Sequence, residues 1–316
     1  MCNIPGTRSS EELKPSQIKT IFSKLKALDL VRITGGEPFL RKDLGDIVNI
    51  IDDCVSPQRI VVSSNGILTD RIVEILKKVR QLQKIHIEIS LDGTKEDHDR
   101  IRCRKGSYED ALRTLKQLSK LRRPNRFHLN VSQVILDGKG IADYFRLKQV
   151  LSPLDVDVYP VIAYDADTAL YSGRVGITDP SKAYQHDEAF RSQLKRFIER
   201  LFRNGNTGDW GTGIAKRYYL MGIYNRIIRG EKRPNPRCVA LSSHMRISPN
   251  GDIPVCMHNS NVVGNLLKEN FREIWFGESI PEHRRWVYGC PGCWVGCEVI
   301  PNGVYTGDML RAIPGI

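Results

Sequence analysis

Val31-Arg32-Ile33-Thr34-Gly35-Gly36-Glu37-Pro38 is a short β-branched run that ends in two glycines, a carboxylate and a proline. The run predicts a buried strand, which Pro38 stops and turns into the next segment. Paired glycines let the backbone approach a ligand or take dihedrals that a Cβ forbids. Glu37 is then presented at the strand's end, the edge of a parallel β/α barrel where ligands collect.

Outward from this stretch the pattern alternates as β/α units should. A helix is expected at 14–28, with Ile18, Ile21, Phe22, Leu25 and Leu28 on one face, and another at 43–53. Arg59-Ile60-Val61-Val62-Ser63 reads as the next strand, and Thr69-Asp70 suit the cap of the helix after it. Lys84–Ser90 is a strand closing in Leu91-Asp92-Gly93, and a long helix at 107–121 follows Gly106-Ser107. Strands at 127–134 and 155–162 flank a helix at 139–150. From about residue 186 the strand signal disappears, and helices are expected at 187–203 and 213–229, joined by the Gly- and Asn-rich 204–208. After Pro234-Asn235-Pro236 the composition shifts to cysteine, glycine and short strands, which marks a boundary.

A chain of 316 residues suits two domains or one large one, and 41% apolar content suffices for a sizeable core. No uninterrupted apolar stretch reaches membrane-span length, and no basic-then-apolar leader is visible, so a soluble cytoplasmic protein without a membrane partner is expected. Eight cysteines in such a protein point to metal or redox chemistry rather than disulfides. The net charge of +12 crowds into helical segments, Lys116 to Arg126 and Lys195 to Arg229 among them. Basic side chains there usually form a solvated face, which argues against a nucleic-acid partner while remaining compatible with an acidic or phosphorylated substrate.

The C-terminal cysteines form a second constellation. Cys238 and Cys256 bracket Asn250-Gly251, a strong hairpin turn signal, and a hairpin would bring the two thiols together across its arms. Cys290, Cys293 and Cys297 follow in a tight Gly/Pro-rich loop as C-x2-C-x3-C. Such spacing lets thiolates converge on one centre, either iron–sulfur or zinc. Cys54 and Cys103 read as incidental thiols, and His244 and His258 as residues that support the cysteines rather than ligate.

With Cys2-Asn3-Ile4 one helix upstream, the Gly-Gly-Glu-Pro turn resembles that of the radical S-adenosylmethionine (radical SAM) enzymes. Their signature is a strand, a C-x3-C-x2-C loop, a helix, and a strand ending in Gly-Gly-Glu-Pro. Cys2 matches the last loop cysteine. The first two are absent, so the resemblance implies a sequence that starts inside its own loop. The implied fold is a partial (β/α)6 TIM-like barrel lacking its first strand, plus a small cysteine-rich C-terminal domain with a β-hairpin. Three thiolates are needed to leave one iron of a cubane open for the cofactor, and Cys2 alone cannot supply them.

The resemblance implies roles residue by residue. Gly35, Gly36 and Glu37 would receive the methionine amino group of S-adenosylmethionine. Ser90 and Asp92 would meet its ribose hydroxyls, Asn65 would add a contact from the neighbouring strand end, and Arg102 would pair with its carboxylate. The cysteine-rich segment resembles the SPASM and twitch auxiliary-cluster domains, with Gly251 before Cys256, the Cys290/Cys293 pair, and Phe271-Arg272-Glu273-Ile274-Trp275 between them. Its five cysteines fit the shorter twitch form with one [4Fe–4S] cluster on Cys238, Cys256, Cys290 and Cys293, and Cys297 could replace one of them. The implied organisation is a core at 1–185, a helical linker at 186–234 and the auxiliary domain at 235–316. The implied activity is reductive cleavage of S-adenosylmethionine to an adenosyl radical that takes hydrogen from an unidentified substrate, a peptide, sugar or small metabolite. The electron would come from a donor such as flavodoxin or ferredoxin. The competing reading is a non-catalytic binding module, stabilised by zinc or an iron–sulfur centre, for an anionic partner.

Overall fold

The computed structural model describes residues 12–164, 177, 186–203 and 210–313. The chain divides into two units, one of Leu13–Val161 and one containing the residues from Ile162 onward. Among the described residues, no helix is long and apolar enough to cross a membrane.

The first unit alternates strands and helices: α1 (Pro15–Ser23), β1 (Leu30–Ile33), α2 (Leu44–Val55), β2 (Arg59–Ser64), α3 (Thr69–Lys78), β3 (Ile85–Ser90), α4 (Lys95–Arg102), α5 (Ser107–Asn125), β4 (His128–Ile135), α6 (Gly138–Leu151) and β5 (Asp157–Ile162). The strands form one sheet in the order β1-β2-β3-β4-β5, with β1 through β4 parallel. All five expected strands are present, and sequential order is what right-handed β/α crossovers produce. Ile60, Val62, Ile85, Ile87, Ile89, Leu129, Val131 and Ile135 are buried and share one face of the sheet. Helices cover that face: a Cβ on Gly140 of α6 would lie 3.3 Å from Ile135, and Gly66 is wedged between Ile89 and Ala111 of α5.

Several expectations change in detail. Leu30–Ile33 is not buried but alternates exposed and half-buried, because β1 lies at the edge of the sheet and pairs only with β2 among the described residues. Helix α1 stops at Ser23, where the Lys24 and Leu25 amides turn to the carbonyls three residues back instead of continuing the α pattern. Thr69 is a helical residue rather than the cap, and its hydroxyl meets that of Thr114 at 2.7 Å. The short, very polar α4 has too few apolar positions to signal a helix by periodicity.

The second unit contains α7 (Glu188–Arg203), α8 (Trp210–Tyr224) running into a π-turn at Asn225–Arg229, β6 (Asp252–Cys256), β7 (Asn259–Asn265), α9 (Phe271–Phe276), α10 (Ile280–Gly289) and α11 (Gly296–Tyr305). The fully buried Trp294 pins α8, donating from Nε1 to the Tyr219 carbonyl at 2.8 Å and lying against Gly222, where a Cβ would sit 1.9 Å from its ring. The segment expected as a helical linker thus packs with the cysteine-rich segment in one unit.

The hairpin exists, but around a different turn. Asn250-Gly251 does reverse the chain, with Gly251 at φ +90° and the Gly251 amide bonded to the Ser248 carbonyl. The paired arms are β6 and β7, joined at Met257-His258, and Cys238 reaches the site from non-strand chain.

Candidate functional site: a sheet edge and a cysteine-lined cavity

At the C-terminal edge of β1 to β3, the Glu37 carboxylate bridges two strand ends. Oε2 accepts from the Asn65 amide at 2.7 Å, and Oε1 from the Ser64 hydroxyl at 2.9 Å and the Phe39 amide at 3.2 Å. Burial pushes the Glu37 pKa up, and these donors and the Arg102 charge only partly oppose the rise. Asp92 is completely buried, with Oδ2 on Arg102 Nε at 2.6 Å and Oδ1 on the Val134 amide at 3.0 Å. The Asp92 amide in turn donates to His98 Nδ1 at 3.0 Å, and burial lowers the His98 pKa to about 4, so the ring is neutral at ordinary pH.

The structure therefore brings Glu37, Asn65, Asp92 and Arg102 to one sheet edge, where the two carboxylates already hold the strand ends in place. Arg102 pairs with Asp92 instead of standing free. What faces outward is backbone and hydroxyl. Gly35 and Gly36 are exposed with no atom within 4 Å of where a Cβ would stand, and Gly35 at φ +156° needs glycine. Ser90 is half-buried at the end of β3, and its hydroxyl has no partner among the described residues. Cys2 lies outside the described residues.

A polar cluster on the other face of the sheet was not anticipated. Register places Arg32, Val61, His86 and His128 in one row, and Ser63, Glu88 and Asn130 in the next. Arg32 donates to Glu88 at 2.6 Å and to Ser63 at 3.3 Å, Ser63 donates to Glu88 at 3.0 Å, and His86 Nε2 meets Asn130 Oδ1. Burial alone would raise the Glu88 pKa, but the Arg32 guanidinium outweighs it and holds the carboxyl below the usual range. Burial lowers the pKa of His86. The signal lay in Ile85-His86-Ile87-Glu88-Ile89-Ser90. Strict alternation is unusual for a parallel strand, which normally buries both faces in apolar contact.

In the second unit, Cys238, Cys256, Cys290 and Cys293 line one cavity of about 240 Å³, together with Asn235, Arg237, His258, Tyr288, Glu298 and Asn302. The thiols come from the loop after the π-turn, the end of β6, and the loop between α10 and α11. All described cysteines are free thiols. Cys297 is not in the lining. It contacts Met257 Sδ at 3.7 Å and accepts from Arg246 Nη2 at 3.4 Å. Burial pushes Cys238 up to about 11, Cys256 up to about 12 and Cys293 well above the ordinary thiol range, with the Glu298 charge adding to each. A bound metal centre is what converts such thiols to thiolates. Four soft thiol donors around one cavity are the ligand type of iron–sulfur and zinc centres alike.

Glu298 was not anticipated either. It is buried in the cavity wall, taking Arg246 Nη2 at 2.5 Å and Nε at 2.9 Å on Oε1, with His244 Nδ1 3.4 Å from Oε2. Burial would raise its pKa, but Arg246 and His244 bring it down to about 2. A glutamate in the first turn of a helix carries no sequence signal until Arg246, 52 residues away, is seen beside it.

The chain thus carries a parallel β/α sheet with a glycine-lined carboxyl edge and, in its second unit, a four-thiol cavity. The Radical SAM superfamily model matches residues 1–143 and the iron–sulfur cluster-binding SPASM domain matches 238–295, so the chain carries a radical SAM domain followed by a SPASM domain. The cofactors these domains imply are S-adenosylmethionine and iron–sulfur clusters.

Among curated relatives, the Fe-coproporphyrin III synthase of Methanosarcina barkeri is 34% identical over 106 residues, 33% of this chain and 26% of that protein. The sporulation killing factor maturation protein SkfB of Bacillus subtilis is 32% identical over 122 residues, 38% of this chain and 28% of that protein. The chain thus matches little more than a quarter of either. The AdoMet-dependent heme synthase of M. barkeri is 26% identical over 325 aligned positions, 96% of this chain and 87% of that protein. Among solved structures, anSMEcpe with bound AdoMet shares the fold at TM-score 0.58 and 12% identity, over 91% of this chain and 79% of that one. SuiB of Streptococcus suis bound to its precursor peptide SuiA does so at TM-score 0.59 and 17% identity, over 89% of this chain and 62% of that one.

Proposed function

We propose that the protein is a radical SAM enzyme whose C-terminal unit holds one auxiliary [4Fe–4S] cluster through Cys238, Cys256, Cys290 and Cys293. The observation that carries this reading is the convergence of those four thiols, from three separate segments, on one cavity of about 240 Å³. The match of the iron–sulfur cluster-binding SPASM model to residues 238–295 favours a cluster over the zinc alternative. Cys297, held by Arg246 outside the lining, is then not a ligand.

S-adenosylmethionine held at the sheet edge would supply the hydrogen-abstracting chemistry once an electron reaches it from a reduced iron–sulfur cluster. The chain's own residues bind and orient. Gly35 and Gly36 give a close backbone approach, Ser90 offers its hydroxyl to the ribose, and Asn65 flanks it. Glu37, Asp92 and Arg102 fix the strand ends from which these groups project. The network of Arg32, Ser63, Glu88, His86 and Asn130 lies on the sheet face opposite the helix-covered apolar one and is compatible with a substrate that has its own hydrogen-bonding groups. In this reading residues 1–185 form the core, 186–234 the helical linker and 235–316 the auxiliary domain, in a cytoplasmic protein served by a flavodoxin- or ferredoxin-like donor.

Anaerobic reconstitution followed by iron, sulfide and zinc analysis tests the auxiliary site, and release of 5′-deoxyadenosine with dithionite, by a form carrying the complete three-cysteine loop, tests the cofactor site. Iron and sulfide in equal amounts that fall in the Cys256→Ala variant are expected. One tightly held zinc per chain without sulfide would overturn the assignment.

A further inference from the structure

The wall of the thiol cavity contains one ionised carboxylate, with its counter-charge behind it. Glu298 lines the cavity alongside the four cysteines, is 2% exposed, and is bound on Oε1 by Arg246 at 2.5 and 2.9 Å. Arg246 does not line the cavity, so the negative end of the pair faces the thiols and the positive end lies outside. Buried ion pairs seldom add net stability over apolar replacements, so a pair retained in this position invites a functional account.

We propose that Glu298 and Arg246 are positioning residues that set the reduction potential of the centre bound by Cys238, Cys256, Cys290 and Cys293, Glu298 lowering it and Arg246 limiting how far. This inference rests on the auxiliary-cluster reading. The physical basis is Coulombic. An electron added to a cluster with four thiolate ligands is disfavoured by a nearby fixed negative charge, the more so where burial weakens screening. Glu298 stands in the same cavity wall as Cys238, Cys256 and Cys293. The same charge acts on an electron delivered to the metal those thiolates would hold. Arg246 carries the opposite sign outside the cavity lining, and its Nη2 also contacts Cys297 at 3.4 Å.

The test is a potentiometric titration of the reconstituted full chain, following the cluster signal in electron paramagnetic resonance that S-adenosylmethionine leaves unchanged. Glu298→Gln should move the midpoint potential upward and Arg246→Met should move it downward. A role confined to bracing the fold would not give opposite signs. The double variant Glu298→Gln/Arg246→Met removes both buried charges together, so it should fold even if a single variant does not. Its potential should lie above the wild-type value, because the charge nearer the cluster dominates. Unchanged potentials, or shifts of the same sign in both single variants, would overturn the proposal, as would a double variant at or below wild type. Absence of iron and sulfide from the wild-type protein would instead remove the auxiliary-cluster reading itself, before any potential is measured.

Discussion

Glu37 shows how one side chain can fasten two strand ends at once. Its carboxylate satisfies two backbone amides and a hydroxyl, so Glu37→Ala strands buried donors and should cost about 1–3 kcal/mol of stability. The same change should weaken S-adenosylmethionine binding roughly tenfold, the worth of about 1.4 kcal/mol, because the strand ends that present Gly35, Gly36 and Asn65 lose their brace. Ser90 separates the two effects, since its hydroxyl has no partner among the described residues. Ser90→Ala should leave the melting temperature unchanged and weaken binding less, as anaerobic calorimetry would report. Asp99 is purely architectural. It accepts from the Gly106 amide at 2.6 Å, the Ser107 hydroxyl at 2.8 Å and the Tyr108 amide at 2.9 Å, tying α4 to the start of α5. Burial works to raise its pKa, but these donors bring it down to about 2 from the ordinary 3.8. A depressed carboxyl stabilises the fold above its unfolded pKa, and that contribution is lost as pH falls toward the folded one. Asp99→Asn should therefore unfold more readily than wild type at neutral pH, by about 1 kcal/mol as for a lost helix cap. The gap should close between pH 4 and 2 in urea melts; a gap constant across that window would discount the carboxylate.

At the scale of elements, the tightest fit in the second unit is α8 against Trp294. A Cβ on Gly222 would lie 1.9 Å from ring atoms of a fully buried indole that is also hydrogen-bonded to Tyr219, so the ring has little room to retreat. Gly222→Ala should cost at least about 1–3 kcal/mol by overpacking, visible as a lower urea midpoint and altered tryptophan fluorescence. The regular elements were legible in the sequence because each strand from Arg59 to Ile162 is a compact β-branched run between helical patterns. The burial of β1 was misjudged because edge position depends on pairing, which composition does not carry. The four cavity cysteines could be named from spacing and family resemblance, yet the hairpin was centred on Asn250-Gly251. That dipeptide does turn the chain, but a turn signal does not say which flanking segment extends into a ladder. The Arg32–Glu88 and Arg246–Glu298 pairs lie 56 and 52 residues apart, and only folding reveals such partners.

For the whole molecule, the two units divide the labour of folding differently. The sheet unit buries a continuous apolar face under its helices, whereas the second unit surrounds a cavity with four thiols, of which burial holds Cys238, Cys256 and Cys293 in the neutral form. Cys238, Cys256 and the Cys290/Cys293 loop are distant in sequence, so a metal centre shared by them cross-links three segments at once, and metal binding becomes folding free energy for that unit. Cys256→Ala removes the ligand at the end of β6, and its consequences should follow the unit boundary. Hydrogen exchange under anaerobic conditions should show amides of β6, β7, α10 and α11 losing protection, while those of β2, β3 and β4 keep theirs. Chelator-stripped wild-type protein should give the same map, which separates loss of the metal from loss of the side chain. Equal loss of protection in β2 to β4 would mean that the sheet depends on the cysteine site for its stability. An unchanged map in β6 and β7 would mean that the hairpin stands without metal and that the four thiols serve another purpose.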